Sequence, residues 1–427
     1  MSRAKADELR KGGRFDEAAQ EYAAIWPDGD KWTGWGYAFC LRKLGRSQDA
    51  LRVAEELHSI DHTFPMGRSI LSWALYDVHA RGVDPAEERM RKAAREIVRL
   101  TRSDDQRFAR TSPFVPTVLR MAKYWAKQGR SNNTLKWLGT LEPARLSSEP
   151  FTRKDESGRP REIASPRERY YAGLTRALNQ LGRWEECLQA STQALNDCGQ
   201  LHHGNEVWFR RRIAISKLEL GRADEALREL EELATRKPSG FLETDVARSA
   251  WALGDHDRTF KHALQALLSP EDIGFKLEAA RLLAEVLWRR GEKEAARAHI
   301  RLCLTVRSKE RWKIPETLKK TATEWEVDQG QVDPNALLGE LRPLWEKWRE
   351  QLAPRRRGTV FRLLPHGKAG FIRAEDGERL FFKTRDWQER PSKPAEGIAV
   401  TFATRPGFDP KRQVATTEAY DVKPVTQ

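Results

Sequence analysis

A Gly-Arg or Gly-Asp turn followed by an amphipathic helical stretch recurs through most of this 427-residue chain. The copies read GGRFDEAAQEY (12–22), LGRSQDALRVA (44–54), QGRSNNTLKWL (128–138), LGRWEECLQAS (181–191), LGRADEALREL (220–230), LGDHDRTFKHAL (253–264) and RGEKEAARAHI (290–300). Four intervals between turn glycines are 32, 39, 33 and 37 residues. Glycine ends a helix well because it adopts positive φ without a Cβ penalty. The pattern predicts helix hairpins, and these must stack because one hairpin cannot bury its apolar face alone.

Each expected hairpin carries large aromatic residues before its turn and a small residue after it. The aromatic anchors are Trp35, Tyr37, Tyr124, Trp125, Tyr170, Tyr171, Trp208, Phe209, Trp251 and Trp288. The small residues are Ala18, Ala50, Ala226 and Ala295. In period and residue pattern the units resemble tetratricopeptide repeats. The resemblance implies an all-α superhelical solenoid over residues 1–330, with a groove that suits a protein partner. A weaker copy is expected to turn near Gly82.

Two stretches depart from the repeat pattern. Residues 142–168 contain four prolines and little periodicity, which predicts a loop or partly disordered insertion. Residues 331–354 predict a capping helix and linker, because Asp333-Pro334-Asn335 is typical of a helix start. The residues expected to cover the end of the repeats are Leu341, Leu344, Trp345 and Trp348.

Residues 355–427 have a strand-forming pattern instead. From Arg355 to Lys383, apolar stretches surround a Gly-Lys turn and an Asp-Gly turn. GTV (358–360), GKAGFI (367–372) and LFFKT (380–384) resemble the first three strands of a cold-shock domain, and residues 396–402 and 415–422 fit its last two. The resemblance implies a small all-β, OB-type barrel of five strands that binds single-stranded nucleic acid.

The same resemblance selects six candidate nucleic-acid contacts. They are Arg362, Lys368, Phe371, Arg373, Phe381 and Lys383. Phe371 and Phe381 keep aromatic positions of the family, whereas Arg362 stands in place of its Trp and Lys383 in place of its His. Bases stack on rings and phosphates are attracted to cations, so the set predicts binding that relies more on phosphate contact and Arg stacking than on aromatic rings. A barrel that keeps the fold without this binding face is the alternative.

Positive charge is concentrated at the C-terminal end. The formal net charge is +14, and residues 355–427 carry 15 Lys and Arg against 9 Asp and Glu, compared with 61 against 53 in residues 1–354. Charge per residue is therefore several-fold higher in the expected barrel, which favours an acidic partner there. Basic stretches in the repeats, at 89–110, 210–212 and 297–313, are either solvated helix faces or an extension of the nucleic-acid path.

The sequence contains little that indicates other functional classes. The four cysteines, Cys40, Cys187, Cys198 and Cys303, form no CxxC pair, so neither a zinc site nor a disulfide framework is indicated and a cytoplasmic location is expected. The N-terminus has no apolar run that would predict a signal peptide or a membrane segment. Arg52 and His58 have the spacing of HEPN-type RNases, but an Arg-rich chain supplies such matches by chance. We expect no enzyme, no metal and no cofactor.

These patterns together predict a non-enzymatic adaptor with two parts. The solenoid would bind a protein partner, and the barrel would contact RNA or single-stranded DNA. A pure protein-interaction scaffold, whose barrel also binds protein, is the alternative. The sequence does not name the partner or separate RNA from DNA.

Overall fold

The computed structural model describes residues 2–81, 87–104, 112–154, 157–328, 330, 332–352, 355–389, 393–409 and 414–425. Internal contacts divide the chain into two compact units, residues 1–212 and residues 213–427. The expected turn at Gly82 lies outside the described residues.

The first unit consists of helices joined in hairpins. The helices are α1 (Arg3–Lys11), α2 (Phe15–Ile25), α3 (Lys31–Lys43), α4 (Ser47–Ile60), α5 (Pro65–Leu75), α6 (Glu87–Thr101), α7 (Phe114–Lys127), α8 (Ser131–Leu138), α9 (Pro166–Gln180), α10 (Trp184–Asp197) and α11 (Asn205–Glu219), which ends in the second unit. From α1 to α10, each helix packs on the next through apolar side chains such as Leu57, Ile97 and Leu138, all of which are buried. The predicted hairpin repeat is confirmed.

The turn glycines have the predicted backbone conformation. Their φ angles lie between +67° and +82° at Gly13, Gly45, Gly129, Gly182, Gly221, Gly254 and Gly291. After each glycine, the next residue donates its backbone N–H to the carbonyl five positions back, as Arg46 does to Leu41 and Arg183 to Leu178. This Schellman arrangement satisfies a carbonyl that the helix end would otherwise leave without a donor.

Most of the aromatic anchors lie in or against the repeat core. Tyr171 and Phe209 are fully buried. Trp208 is an exception, since it is exposed, and so is Leu344, which was expected to cover the end of the repeats. In each case the neighbouring residue, Phe209 or Trp345, occupies the core-facing position of the helix, so the second large side chain is turned outwards.

The segment expected to be an irregular insertion contains a β-hairpin. β1 (Phe151–Lys154) pairs antiparallel with β2 (Pro160–Ile163), and α9 begins at once after the cap residue Ser165. The loop interpretation was therefore wrong for these ranges. Prolines in the sequence suggested a loop. However, Pro160 and Pro166 stand at the first position of a strand and of a helix, where a missing N–H breaks no hydrogen bond.

The second unit continues the hairpins and adds a sheet. Its helices are α12 (Ala223–Arg236), α13 (Gly240–Ala252), α14 (His256–Leu268), α15 (Leu277–Arg289), α16 (Lys293–Lys309), α17 (Glu316–Glu324) and α18 (Pro334–Leu352). Helix α18 starts where the sequence predicts and buries Leu341, Trp345 and Trp348 against α14 and α16. In this core the Trp345 indole Nε1 donates to His299 Nε2 over 2.7 Å, and His299 Nδ1 lies 2.7 Å from the Ala295 carbonyl.

Five strands follow: β3 (Arg356–Leu363), β4 (Ala369–Ala374), β5 (Arg379–Lys383), β6 (Ala399–Asp409) and β7 (Val414–Pro424). Their order is β3-β4-β5-β7-β6, and pairing between β6 and β3 closes the barrel. The β5–β7 pair is parallel and the other pairs are antiparallel. Phe382 and Phe402 are fully buried inside. Gly370 is required on β4, because a Cβ there would lie 2.7 Å from the Arg362 carbonyl and from the Phe382 ring.

The barrel packs against helices of its own unit. The buried Asp421 carboxylate pairs with Arg355 at 2.6 Å and with Arg349 of α18 at 3.1 Å. The Arg236 guanidinium of α12 lies 5.4 Å from the ring centre of Phe408 on β6. The boundary between the two compact units falls at residue 212, within α11.

Candidate nucleic-acid interface

Three phenylalanine rings form a row across neighbouring strands on the outside of the barrel. The ring centres of Phe371 and Phe381 are 5.7 Å apart and nearly perpendicular, and these two residues face each other across the β4–β5 pair. The Phe361 ring centre on β3 lies 6.2 Å from that of Phe371. All three rings are half-buried, so part of each side chain is exposed to solvent.

Two arginines stand beside this row with their charges close together. Arg373 and Arg379 are direct cross-strand partners on β4 and β5. Both guanidinium groups lie against the Phe361 ring, at 5.0 and 5.6 Å from its centre. Like charges directly opposite each other destabilise a sheet. In the described ranges neither has an acidic side chain within ion-pair distance, so the pair presents uncompensated positive charge.

Arg362 and Lys368 extend the positive surface. Arg362 is exposed and lies opposite Phe371, next to an irregularity in the β3–β4 register after Val360. Lys368 is exposed in the turn before β4. Among the residues that the structure describes, neither has a carboxylate partner. The structure thus brings Phe371, Phe381 and Arg373 together on β4 and β5, places Arg362 opposite Phe371, and leaves Lys368 in the turn before β4.

Lys383 is placed differently. Its ammonium group is half-buried and lies 3.4 Å from the Glu418 carboxylate on β7. Glu418 also lies 3.6 Å from Arg405, which pairs with Asp386 at 2.9 Å. Lys383 belongs to this ion-pair network, so its charge is compensated within the barrel. No local pattern indicates this pair, since Glu418 is 35 residues further along the chain.

Sequence reasoning missed Phe361, Arg379 and a groove beside them. The groove has a volume of about 450 Å³ and is lined by Arg357, Gly358, Thr359, Phe361, Arg373, Ala374, Glu375, Ala399, Val400 and Val425. One signal was available, because a strand that alternates places Phe361 on the outer face, next to buried Val360. That Arg379 lies opposite Arg373 could not be inferred without the β4–β5 register.

Arg356 shows how a cation on the same barrel can be compensated. Its guanidinium pairs with Asp376 at 2.5 Å and with Glu378 at 2.7 Å. The hydrogen bond that Arg356 donates to Glu378 raises the pKa of the guanidinium. Acidic residues are thus present around the barrel, but within the described ranges none of them pairs with Arg373 or Arg379.

The other candidates from the sequence have ordinary surroundings. Arg52 is exposed and pairs with Glu56 of its own helix at 3.0 Å. No group of three or more His, Cys, Asp or Glu side chains in the described residues could hold a metal ion. The four cysteines are free and buried. Within the part of the chain that the structure describes, no helix has the length and apolar character needed to cross a membrane.

Comparison with known proteins gives limited matches. A family model described as a domain of unknown function, DUF7017, matches residues 207–338, which is less than half of the chain. No curated protein matches the chain.

The similar solved structures have low sequence identity to this chain. The APC/C hetero-tetramer Cut9-Hcn1 is 14% identical over 75% of this chain, with a TM-score of 0.38, and the match spans 54% of that chain. The human IFIT1 dimer with PPP-AAAA is 13% identical over 81% of this chain and 79% of that chain, with a TM-score of 0.36. A thermophilic TPR protein from Thermus thermophilus is 15% identical over 60% of this chain and 99% of that chain, with a TM-score of 0.28.

Proposed function

We propose that this protein is a non-enzymatic adaptor whose C-terminal barrel binds single-stranded nucleic acid while its helical repeats bind a protein. The observation that carries the proposal is the row of three half-buried rings, Phe361, Phe371 and Phe381, beside the uncompensated pair Arg373 and Arg379. Rings at this spacing accept stacked bases, and cations beside them attract the phosphates between those bases.

The strand arrangement supports an OB-type barrel. Numbered from its first strand, the barrel has the order 1-2-3-5-4 and is closed between strands 1 and 4, with a parallel pair between strands 3 and 5. In OB folds the face of strands 2 and 3 binds oligonucleotides. Those strands are β4 and β5 here, and they carry Phe371, Phe381, Arg373 and Arg379. The strand order and the ring row therefore favour the same face.

Each group has a distinct role in the proposed complex. Phe371 and Phe381 stack successive bases, and Phe361 supports a further base at the groove. Arg373 and Arg379 contact phosphates, and their mutual repulsion is relieved when an anion binds between them. Arg362 and Lys368 extend the phosphate path. Lys383 contributes little, because Glu418 already compensates its charge.

A surface of the second unit favours a protein partner for the repeats. Phe275 and Trp312 are exposed to 60% and 43%, and the Phe275 ring centre lies 5.3 Å from that of Phe241. Exposed aromatic residues that lie together are typical of protein-binding surfaces. The free, buried cysteines are consistent with a cytoplasmic location. If the barrel bound no nucleic acid, the chain would be a protein-interaction scaffold.

The test is a titration of the full-length protein with fluorescein-labelled single-stranded RNA and DNA, followed by fluorescence anisotropy at several salt concentrations. Phe371→Ala and Phe381→Ala should each weaken binding by about 1–3 kcal/mol with little change in salt dependence. Phe408→Ala is the matched control, since it removes a half-buried ring of the same barrel outside the row. If the folded wild-type protein shows no salt-sensitive binding, the nucleic-acid proposal is wrong and the protein-interaction scaffold is the remaining function.

A further inference from the structure

Four cations on the first helices of three hairpins in the N-terminal unit have no acidic partner. They are Lys123 on α7, Arg169 and Arg176 on α9, and Arg212 on α11. In the described residues no carboxylate lies within ion-pair distance of any of them. Other exposed cations of this unit pair within their own helix, as Arg52 does with Glu56.

The four cations share one surface. Helices α7 and α9 pack together. Arg212 extends from α11 towards α9, where its Nη1 donates to the Thr175 hydroxyl at 3.2 Å. Arg169 and Arg176 are seven residues apart, about two turns, so they lie on one face of α9. We call Lys123, Arg169, Arg176 and Arg212 the cationic face.

Arg169 and Arg212 are partly shielded from water, and charges of the cationic face repel one another. Burial lowers the pKa of Arg212 to about 10, and Arg211 and Arg176 also lower it. Burial lowers the pKa of Arg169 as well. The pKa of Lys123 is lowered by burial first, and then by Lys127, Arg169 and Arg120. Each shift has the sign expected for cations held together without a counter-ion.

Holding a guanidinium away from water without a carboxylate costs stability. No carboxylate of the described residues compensates the cationic face, and an anion from outside the chain would do so. Three of its four groups are guanidinium groups, which bind phosphate through two hydrogen bonds. One turn before Arg212 on the same helix, the ring of Trp208 is 37% exposed. Its centre lies 5.5 Å from the Arg211 guanidinium, so a base could stack there.

We propose that the cationic face of α7, α9 and α11 is a second nucleic-acid site, which binds the phosphates of a single strand independently of the barrel. It goes beyond the proposed function, in which nucleic acid contacts the barrel alone. The exposed ring favours a nucleic acid over an acidic polypeptide, because a polypeptide gives that ring no base to stack.

The experiment uses the full chain and a labelled oligouridylate of about 20 nucleotides, longer than a single OB barrel covers. The test variant is Lys123→Gln/Arg169→Gln. The control is Arg46→Gln/Arg183→Gln, which removes the same charge from cations paired with Asp49 at 2.9 Å and Glu186 at 2.5 Å. The test variant should bind about tenfold more weakly or worse, with a salt slope lower by about 1.4 for two lost phosphate contacts. The control should stay within about twofold.

Stability separates a binding role from a structural one. Removing uncompensated charges should leave the melting temperature unchanged or higher. Lys123→Gln alone changes an exposed side chain and should still weaken binding several-fold. If the double variant melts lower and Lys123→Gln binds normally, the cationic face is structural and the proposal is wrong.

Two further outcomes would contradict this proposal and leave the proposed function of the barrel unaffected. Equal binding by the test and control variants would show that the cationic face contacts no nucleic acid. Poly-glutamate could also compete with the labelled strand as effectively as unlabelled oligouridylate does. If this competition is lost in the test variant, the cationic face binds an acidic polypeptide. The loss should also persist in a Phe371→Ala/Phe381→Ala background, so failure here is distinguishable from failure of the barrel assignment.

Discussion

In the helical repeats, four of the five arginines that follow a turn glycine pair with an acid three residues later, whereas on the barrel Arg373 stands opposite Arg379 with no acid of the described residues in reach. The exception is Arg130, which has Asn133 at that position. The repeat pairs are Arg14 with Glu17, Arg46 with Asp49, Arg183 with Glu186, and Arg222 with Glu225. A helix brings residues three apart onto one face, so a short motif compensates its own charge. A sheet brings together residues from different strands, so compensation depends on register.

The difference shows that net charge does not indicate which cations are left without an acidic partner. The chain has 76 Lys and Arg, but many of those in the repeats are compensated by their own helix. The uncompensated cations identify the candidate sites. If this comparison is right, polar groups satisfied inside the protein should govern stability, and groups left unsatisfied on a surface should govern binding.

The largest expected effect concerns the buried His299. Its ring is fully buried among Ala295, Trp345 and Trp348, and burial lowers its pKa to about 4. The unfolded chain takes up a proton near pH 6.5, but the folded chain does so only near pH 4. The stabilisation is therefore complete above pH 6.5 and is lost as the pH falls towards 4, by about 3 kcal/mol.

Chemical denaturation of wild type and His299→Gln between about pH 4 and 7 would measure this effect. The difference between the two proteins cancels other titrating groups. The wild type should lose more stability on acidification than the variant, because Gln does not titrate. Parallel pH profiles would show that His299 is not the sensor.

The next effect tests whether the barrel, too, uses compensated charges for stability. Asp421→Asn removes the charge that Arg349 and Arg355 share and should lower the unfolding free energy by about 2–3 kcal/mol. Asn tolerates the positive φ of 48° at this position, so backbone strain does not contribute. Asp376→Asn is the control, since its exposed pair with Arg356 should be worth no more than about 1 kcal/mol. Urea unfolding would measure both, and equal losses would contradict the comparison.

Phe361→Ala tests the ring that sequence reasoning missed. It should weaken oligonucleotide binding by about 1–3 kcal/mol, because one stacking partner is lost and both arginines lose the ring against which they lie. The salt slope should change little. Unchanged affinity in an anisotropy titration, with an intact barrel by circular dichroism, would restrict the binding face to β4 and β5.

The smallest effect compares two single arginines directly. Arg379→Gln should lower the salt slope of binding by about 0.7, the value for one lost phosphate contact on a single strand. Arg183→Gln should leave the slope unchanged, since Glu186 already pairs with Arg183. Both should change stability by less than about 0.5 kcal/mol. Equal slopes for the two variants would remove the distinction between paired and unpaired arginines.

The sequence alone determined the features that depend on neighbouring residues. The glycine turns, the hairpins around them, the start of α18 at Pro334 and the strands that carry Phe371 and Phe381 were all predicted. Each rests on a local cause, such as a positive φ, a proline at the first helical position or alternation along a strand. The β-hairpin at residues 151–163 escaped prediction, because its two short strands stabilise each other only when paired.

Only the tertiary structure decided which charges are free. Glu418 compensates Lys383 across 35 residues, Arg373 meets Arg379 through strand register, and Arg169 and Arg212 lie on different helices of one surface without an acidic partner among the described residues. The sequence contains these cations without distinguishing them. An ion pair depends on a distance of a few ångströms, and that distance is set by how remote segments pack, so the binding faces could not be separated from the solvated ones before the fold was known.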